Sequence, residues 1–261
     1  MTDNRISFDK IPNARDLGGR PTKHGKIVAS GKVFRSTELA FATDADKAKI
    51  QELGITQIFD LRTAAEVQQS PEPPIKGVTE THLDVLADTP SSMASQMKEF
   101  MTDQSKLAAL TENEGRQMME ETYVDIVASP SGLASYRAFY QDLLANEGGA
   151  LFHCTTGKDR TGWAAASFYS LMGVNREEIF EDYLQTNTDL LPALKPITDM
   201  LESKGLRKPF LDSVLGVEKV YLENAFKAAD DKFGSMDGYF SDGLKLDADT
   251  QDQLRAKFLT D

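Results

Sequence analysis

The chain has 261 residues, 40% of them apolar, with 41 acidic against 29 basic side chains, a formal charge of −12, one cysteine and three histidines. One cysteine excludes an internal disulfide scaffold and a multi-thiolate zinc site, and His24, His82 and His153 offer no His-Glu-x-x-His metal pair. The acidic balance reads against nucleic acid and anionic membranes as partners, and no run of about 18 apolar residues exists to span a bilayer.

The start, MTDNRISFDK, is polar with no apolar core, so no signal peptide is expected. The expected location is the cytoplasm, or outside it if the sequence is a mature form. Residues 13–19 (Asn-Ala-Arg-Asp-Leu-Gly-Gly) predict a loop. Two β-rich runs, 26–30 and 32–35, joined at Gly31, predict a hairpin. Residues 43–53 predict a helix with Thr43 as N-cap, Asp44 and Asp46 in the first turn and Gly54 just past the end. The run ITQIFDL at 55–61 reads as a buried strand. A Pro-rich turn at 70–74 and a strand at 81–85 follow, then a mainly helical stretch at 93–128 in which Tyr123 reads as a core residue.

Residues 132–146 predict an amphipathic helix, 150–153 a short apolar strand, and 160–172 a buried Ala-rich helix ended by Gly173. An acidic helix begins near Asn175. Helical segments at 196–204 and 213–232, a loop at 234–243 and a last helix at 248–259 complete the chain. Strands alternating with helices predict an α/β fold with a mainly parallel central sheet flanked by helices. One domain over residues 1–261, with helical insertions, is expected.

The chemistry concentrates in Leu151-Phe152-His153-Cys154-Thr155-Thr156-Gly157-Lys158-Asp159-Arg160-Thr161-Gly162, between a predicted strand and a predicted helix. A loop from Cys154 to Arg160 can curl so that its N–H groups, over Thr155, Thr156, Gly157 and Lys158, cradle an oxyanion at a helix N-terminus. Gly157 permits the turn, and Arg160 can fork onto a tetrahedral phosphate. A helix N-terminus and nearby cations favour a cysteine as thiolate, the nucleophilic form, so Cys154 is the candidate nucleophile and a cysteinyl-phosphate the expected intermediate. A leaving oxygen needs a proton. Asp159, within the loop, is the first candidate acid, and Asp60, at a strand end, the second. Thr161 is placed to donate to Cys154 and ease its departure, and His153 to orient the loop. A Walker loop fails because Phe152 and Asp159 stand where Gly and Ser or Thr are needed, and no Gly-x-Ser-x-Gly elbow occurs.

Residues 153–160 match the Cys-x5-Arg loop of the protein tyrosine phosphatase superfamily. The fuller His-Cys-x-x-Gly-Lys-Asp-Arg-Thr-Gly resembles the bacterial branch related to the secreted virulence phosphatases of mycobacteria and Listeria. The resemblance extends to Asn13–Gly19, to Arg35-Ser36 with Leu39, and to Asp60-Leu61-Arg62 followed by Glu66. It continues through Gly173-Val174, Asp182-Tyr183-Leu184 and Val214-Leu215-Gly216-Val217. It implies Cys154 as nucleophile, Arg160 as phosphate binder, Asp159 as loop-borne acid and a secondary role for Asp60. It implies substrates among phosphotyrosine, phosphoserine or phosphothreonine proteins and phosphoinositides, with Lys158 suited to the extra charge of the last. It further implies a phosphate ion in the loop, no metal or other cofactor, and a lid from the span after Pro196. Two other readings share the loop: a sulfur-transfer or arsenate-reducing enzyme, and a non-catalytic phosphate-binding module.

Overall fold

Short strands pair into one five-stranded sheet in a computed structural model that describes residues 4–89 and 109–261. Its members are β1 (Arg15–Asp16), β3 (Val33–Ser36), β4 (Ile55–Asp60), β5 (Thr79–His82) and β6 (Gly149–His153), in the spatial order β1-β3-β6-β4-β5. β1 runs antiparallel to β3, and every other pairing is parallel. β2 (Ile27–Val28) pairs instead with β7 (Leu259–Thr260) in a separate two-stranded ribbon. The expected α/β architecture, a mainly parallel sheet flanked by helices, is what forms.

Alternation along the strands splits the core in two. Val33, Phe59 and Phe152 point to one face, where α3 (Glu112–Ala128), α4 (Pro130–Ala145) and α5 (Arg160–Met172) cover them. Phe34, Ile58 and Leu151 point to the other, against Ile50 of α1 (Asp44–Glu52). α2 (Ala64–Gln69) follows β4. After α5 come α6 (Arg176–Ser203), α7 (Lys208–Leu215), α8 (Lys219–Phe233) and α9 (Ala248–Phe258). Thr43 caps α1 through a reciprocal box with Asp46, and Gly54 and Gly173 take left-handed angles at the ends of α1 and α5, as their positions predict.

Several expectations are corrected. The hairpin across Gly31 does not form, because both edges of β3 are already taken by β1 and β6. The strand expected at 81–85 lies two residues earlier: its polar residues Thr79 to His82 make the sheet edge, and Leu83 and Val85 turn into the core beyond it. The separate helical segment expected at 196–204 is the end of α6. α6 runs through both Pro192 and Pro196, whose four-residue spacing puts both on one exposed face, so the carbonyls left without a donor meet water. The helix expected at 213–232 is two helices parted at Gly216-Val217, and the loop expected at 234–243 contains a helical turn and a π-helical turn. Of the helical stretch expected at 93–128, residues 93–108 lie outside the described residues.

Candidate active site

The parallel strands end in one row. Ser36 and Asp60 each pair with His153, and His82 pairs with Asp60, so β3, β6, β4 and β5 finish side by side at the edge where ligands bind in such sheets. β6 ends at His153 and α5 begins at Arg160, so Cys154 to Asp159 form the turn between them. Cys154 is buried at its floor, 1% exposed.

The turn is fixed from behind. Arg35 Nη2 donates to the Gly157 carbonyl at 2.7 Å, and Asn13 Nδ2 donates to the same oxygen at 3.0 Å and to Thr156 at 3.4 Å. The Glu38 N–H donates to the Thr155 carbonyl at 3.1 Å. No peptide among the described residues is cis, and in a trans peptide the carbonyl and the next N–H point opposite ways. With the carbonyls of Thr155, Thr156 and Gly157 drawn backwards, the N–H groups of Thr156, Gly157 and Lys158 face forward. Gly157 has φ +65°, and a Cβ there would lie 2.2 Å from the Ser36 carbonyl oxygen, so both conformation and space demand glycine.

Those rear supports are themselves braced. Asp182 of α6 accepts from Arg15 Nε at 2.9 Å and Arg35 Nη1 at 2.9 Å, and Arg15 Nη1 donates to Asn13 at 2.6 Å. Burial would push Asp182 up, but the charges of Arg15 and Arg35 override it and hold the carboxyl well below the usual carboxylate range. Burial and the like charge of Arg15 bring Arg35 down to about 10, still cationic at neutral pH.

At the front, Arg160 donates to both oxygens of Glu66, from Nη1 at 2.7 Å and Nη2 at 2.8 Å. Thr155 Oγ1 donates to the same carboxylate at 2.6 Å. Burial opposes charge on both partners. For Glu66 the hydrogen bonds from Arg160 win and hold it well below the carboxylate range; for Arg160 the Glu66 contact and the charge of Cys154 hold it above its ordinary value. Glu66 therefore aims the guanidinium, and an oxyanion over Cys154 would take its remaining N–H groups.

Asp159 stands at the start of α5 without capping it. Tyr123 Oη donates to its carboxylate at 3.0 Å, and with that proton committed, Tyr183 supplies the hydrogen bond between the two tyrosines at 2.6 Å. Lys158, expected to offer charge to a substrate, is buried. Its Nζ reaches Asp159 at 3.0 Å and donates to the Gly216 carbonyl at 3.3 Å. Thr161 Oγ1 is buried, and no hydrogen-bond partner is found for it among the described residues.

Asp60 sits apart from this group. It is fully buried and accepts from the backbone and guanidinium of Arg62 at 2.7 to 3.1 Å. Burial pushes it up, but the Arg62 hydrogen bonds and the His153 charge win and bring it down. Arg62 also reaches Glu38 at 2.8 Å and Glu72 at 3.1 Å. His153 Nδ1 donates to the Cys154 carbonyl at 3.1 Å, and its Nε2 lies 3.3 Å from Glu72; burial pushes the ring down, but Glu72 and Asp60 raise it. Asp60, Glu72 and His153 bring ligand atoms within 4.8 Å of one another, but a cation there would meet the resident guanidinium of Arg62.

Sequence reasoning gave no role to Glu66, Tyr123, Arg35 or Asp182. Glu66 carries a readable signal: Thr63-x-x-Glu66 is a capping box, and it starts α2. The others are joined only by the fold.

The model of the tyrosine phosphatase family matches residues 6–260 of the chain. A Cupriavidus necator protein assigned to the tyrosine-protein phosphatases is 32% identical over 257 residues, covering 97% of this chain and 88% of its own. The triple specificity protein phosphatase PtpB of Mycobacterium tuberculosis is 28% identical over 254 residues, covering 88% and 90%. Among solved structures, TpbA of P. aeruginosa aligns over 68% of this chain and 83% of its own, at 14% identity and a TM-score of 0.35.

Proposed function

The chain belongs to the tyrosine phosphatase family and is a protein-tyrosine phosphatase, and we propose that it works through a cysteinyl-phosphate on Cys154, within a single phosphatase domain over residues 1–261. The observation that carries this reading is the position of Cys154: buried in the turn between β6 and α5, beside forward-facing N–H groups, with its charge coupled to an Arg160 guanidinium fixed by Glu66. The N–H groups from Thr155 to Lys158 and the free edge of Arg160 bind the phosphoryl oxygens and meet the charge that grows on them in transfer.

The Cys154 thiolate attacks phosphorus, the phosphorus–ester oxygen bond breaks, and Asp159 gives its proton to the departing oxygen. Water then attacks the cysteinyl-phosphate, its proton passes to Asp159, and the sulfur–phosphorus bond breaks to release phosphate and the thiolate. Thr161 Oγ1, buried without a partner among the described residues, is the donor we assign to the sulfur in this second step. Asp159 suits the acid role better than Asp60: its side chain is 13% exposed beside the turn, whereas Asp60 is sealed in by Arg62.

Phosphotyrosine is the primary substrate of this reading. The triple specificity in the name of the mycobacterial relative supports a range wider than phosphotyrosine, and the sequence resemblance puts phosphoserine, phosphothreonine and phosphoinositides in that range. Lys158 acts in it by holding Asp159 and the Gly216 turn rather than by meeting substrate. An arsenate-reducing role lacks the second, resolving thiol such chemistry uses. No described helix is long and apolar enough to cross a membrane. The test is a panel of phosphotyrosine, phosphoserine and phosphothreonine peptides and phosphoinositides. Highest kcat/KM on phosphotyrosine supports the reading, and turnover of phosphoinositides alone contradicts it.

A further inference from the structure

A cleft of about 490 Å³ opens beside the catalytic turn and shares Thr155 and Thr156 with it as a wall. Its apolar lining comes from three elements: Phe8 near the start of the chain, Phe41 between β3 and α1, and Leu190, Leu194 and Ile197 of α6. Leu190 and Leu194 are buried and form the floor. Phe41 is 70% exposed and Ile197 45% exposed, so two large apolar side chains stand in water at the mouth. Isolated exposed apolar residues are ordinary, but here they line one concavity adjoining the turn.

Resting on the phosphatase reading above, we propose that this cleft is a specificity subsite that receives an apolar side chain of a peptide substrate, one or two positions from the phosphorylated residue. The shared wall sets the distance. An extended peptide advances about 3.5 Å per residue, so with the phosphoryl group over Cys154 only near neighbours in sequence reach past Thr156. Asp9, Lys10 and Glu38 also line the cleft, giving it both signs of charge to meet a peptide backbone and its flanking groups. A chain of formal charge −12 is poorly matched to an anionic bilayer, so the acyl chains of a lipid are the less suited occupant.

The experiment compares kcat/KM for phosphotyrosine peptides that differ only in Leu or Gly at the flanking positions, using wild type, Phe41→Ala and Ile197→Ser. Turnover of a small aryl phosphate by each enzyme normalises for the amount of folded protein. Wild type is expected to prefer Leu by about tenfold, the scale of one buried apolar group, and both variants to lose most of that preference. The two residues lie on different elements, so a shared loss points to the cleft and not to one local distortion. A wild type that turns over the aryl phosphate with no Leu preference overturns the subsite alone. A preference that survives both substitutions overturns it equally. So does a Phe41→Ala effect seen only with long-chain phosphoinositides, which would assign the cleft to lipid. No turnover of the aryl phosphate by wild type would overturn the phosphatase reading instead.

Discussion

Glu66 holds Arg160 by both oxygens, at 2.7 and 2.8 Å, while one of those oxygens also accepts the Thr63 N–H at 2.8 Å. One carboxylate thus closes the capping box of α2 and fixes the guanidinium of Arg160. Glu66→Ala is expected to lower kcat/KM on an aryl phosphate about 10²-fold, the scale of a misplaced binding group, and to weaken inhibition by inorganic phosphate in parallel. Loss of the reciprocal half of the capping box, with Thr63 still capping, should lower the urea midpoint modestly. Unchanged kinetics would mean that Arg160 keeps its place unaided.

Tyr123→Phe removes the hydroxyl that donates to Asp159 while keeping the ring packed against Tyr183 and Tyr221. If Asp159 is the acid, the variant should slow alkyl phosphates, which need a proton on the leaving group, by roughly tenfold. Activated aryl phosphates should be much less affected. A leaving-group series with equal losses throughout would remove Tyr123 from the positioning of the acid.

Gly157→Ala tests the turn itself. A methyl group would meet the Ser36 carbonyl at 2.2 Å in a left-handed backbone, so the turn must shift. A stability loss of about 1–3 kcal/mol is expected from the strain, with turnover nearly abolished because the forward N–H groups move. Near-normal turnover would contradict the account of how the turn is held.

Asp182→Asn tests the brace behind the turn and gives a pH signature. The folded Asp182 is held well below the unfolded value of about 3.9, so its stabilisation is complete above about pH 5 and is lost as pH falls through the unfolded and then the folded value. The variant leaves Arg35 buried without its counter-charge and Arg15 with only Asp189, at 3.9 Å, which should cost about 3 kcal/mol at neutral pH. Urea midpoints should show the gap between wild type and variant narrowing as pH drops toward about 3. A gap that widens with acid would contradict the assignment.

What the sequence made legible was local. Thr43 and Gly54 bracket α1, Gly173 ends α5, and the Cys154–Arg160 spacing marks the turn, because caps, left-handed glycines and an anion-binding turn are each set by a few adjacent residues. What stayed hidden was long range. Arg15 meets Asp182 across 167 positions, and Arg160 meets Glu66 across 94. The Asn13–Gly19 and Arg35-Ser36 motifs were visible as patterns, yet their work of holding the Gly157 carbonyl appears only once β1 and β3 lie beside the turn. The hairpin at Gly31 and the separate helix at 196–204 failed for the same reason: neighbouring strands, and the shared exposed face of the two prolines, outweigh local preference.

The most direct test of the central claim is Cys154→Ser. Turnover of an aryl phosphate is expected to fall by roughly 10⁴-fold or more, because the hydroxyl is a far weaker nucleophile than the thiolate. Binding of a phosphotyrosine peptide should persist, since the backbone donors and Arg160 remain. Substantial residual turnover by the serine variant would contradict a covalent path through Cys154.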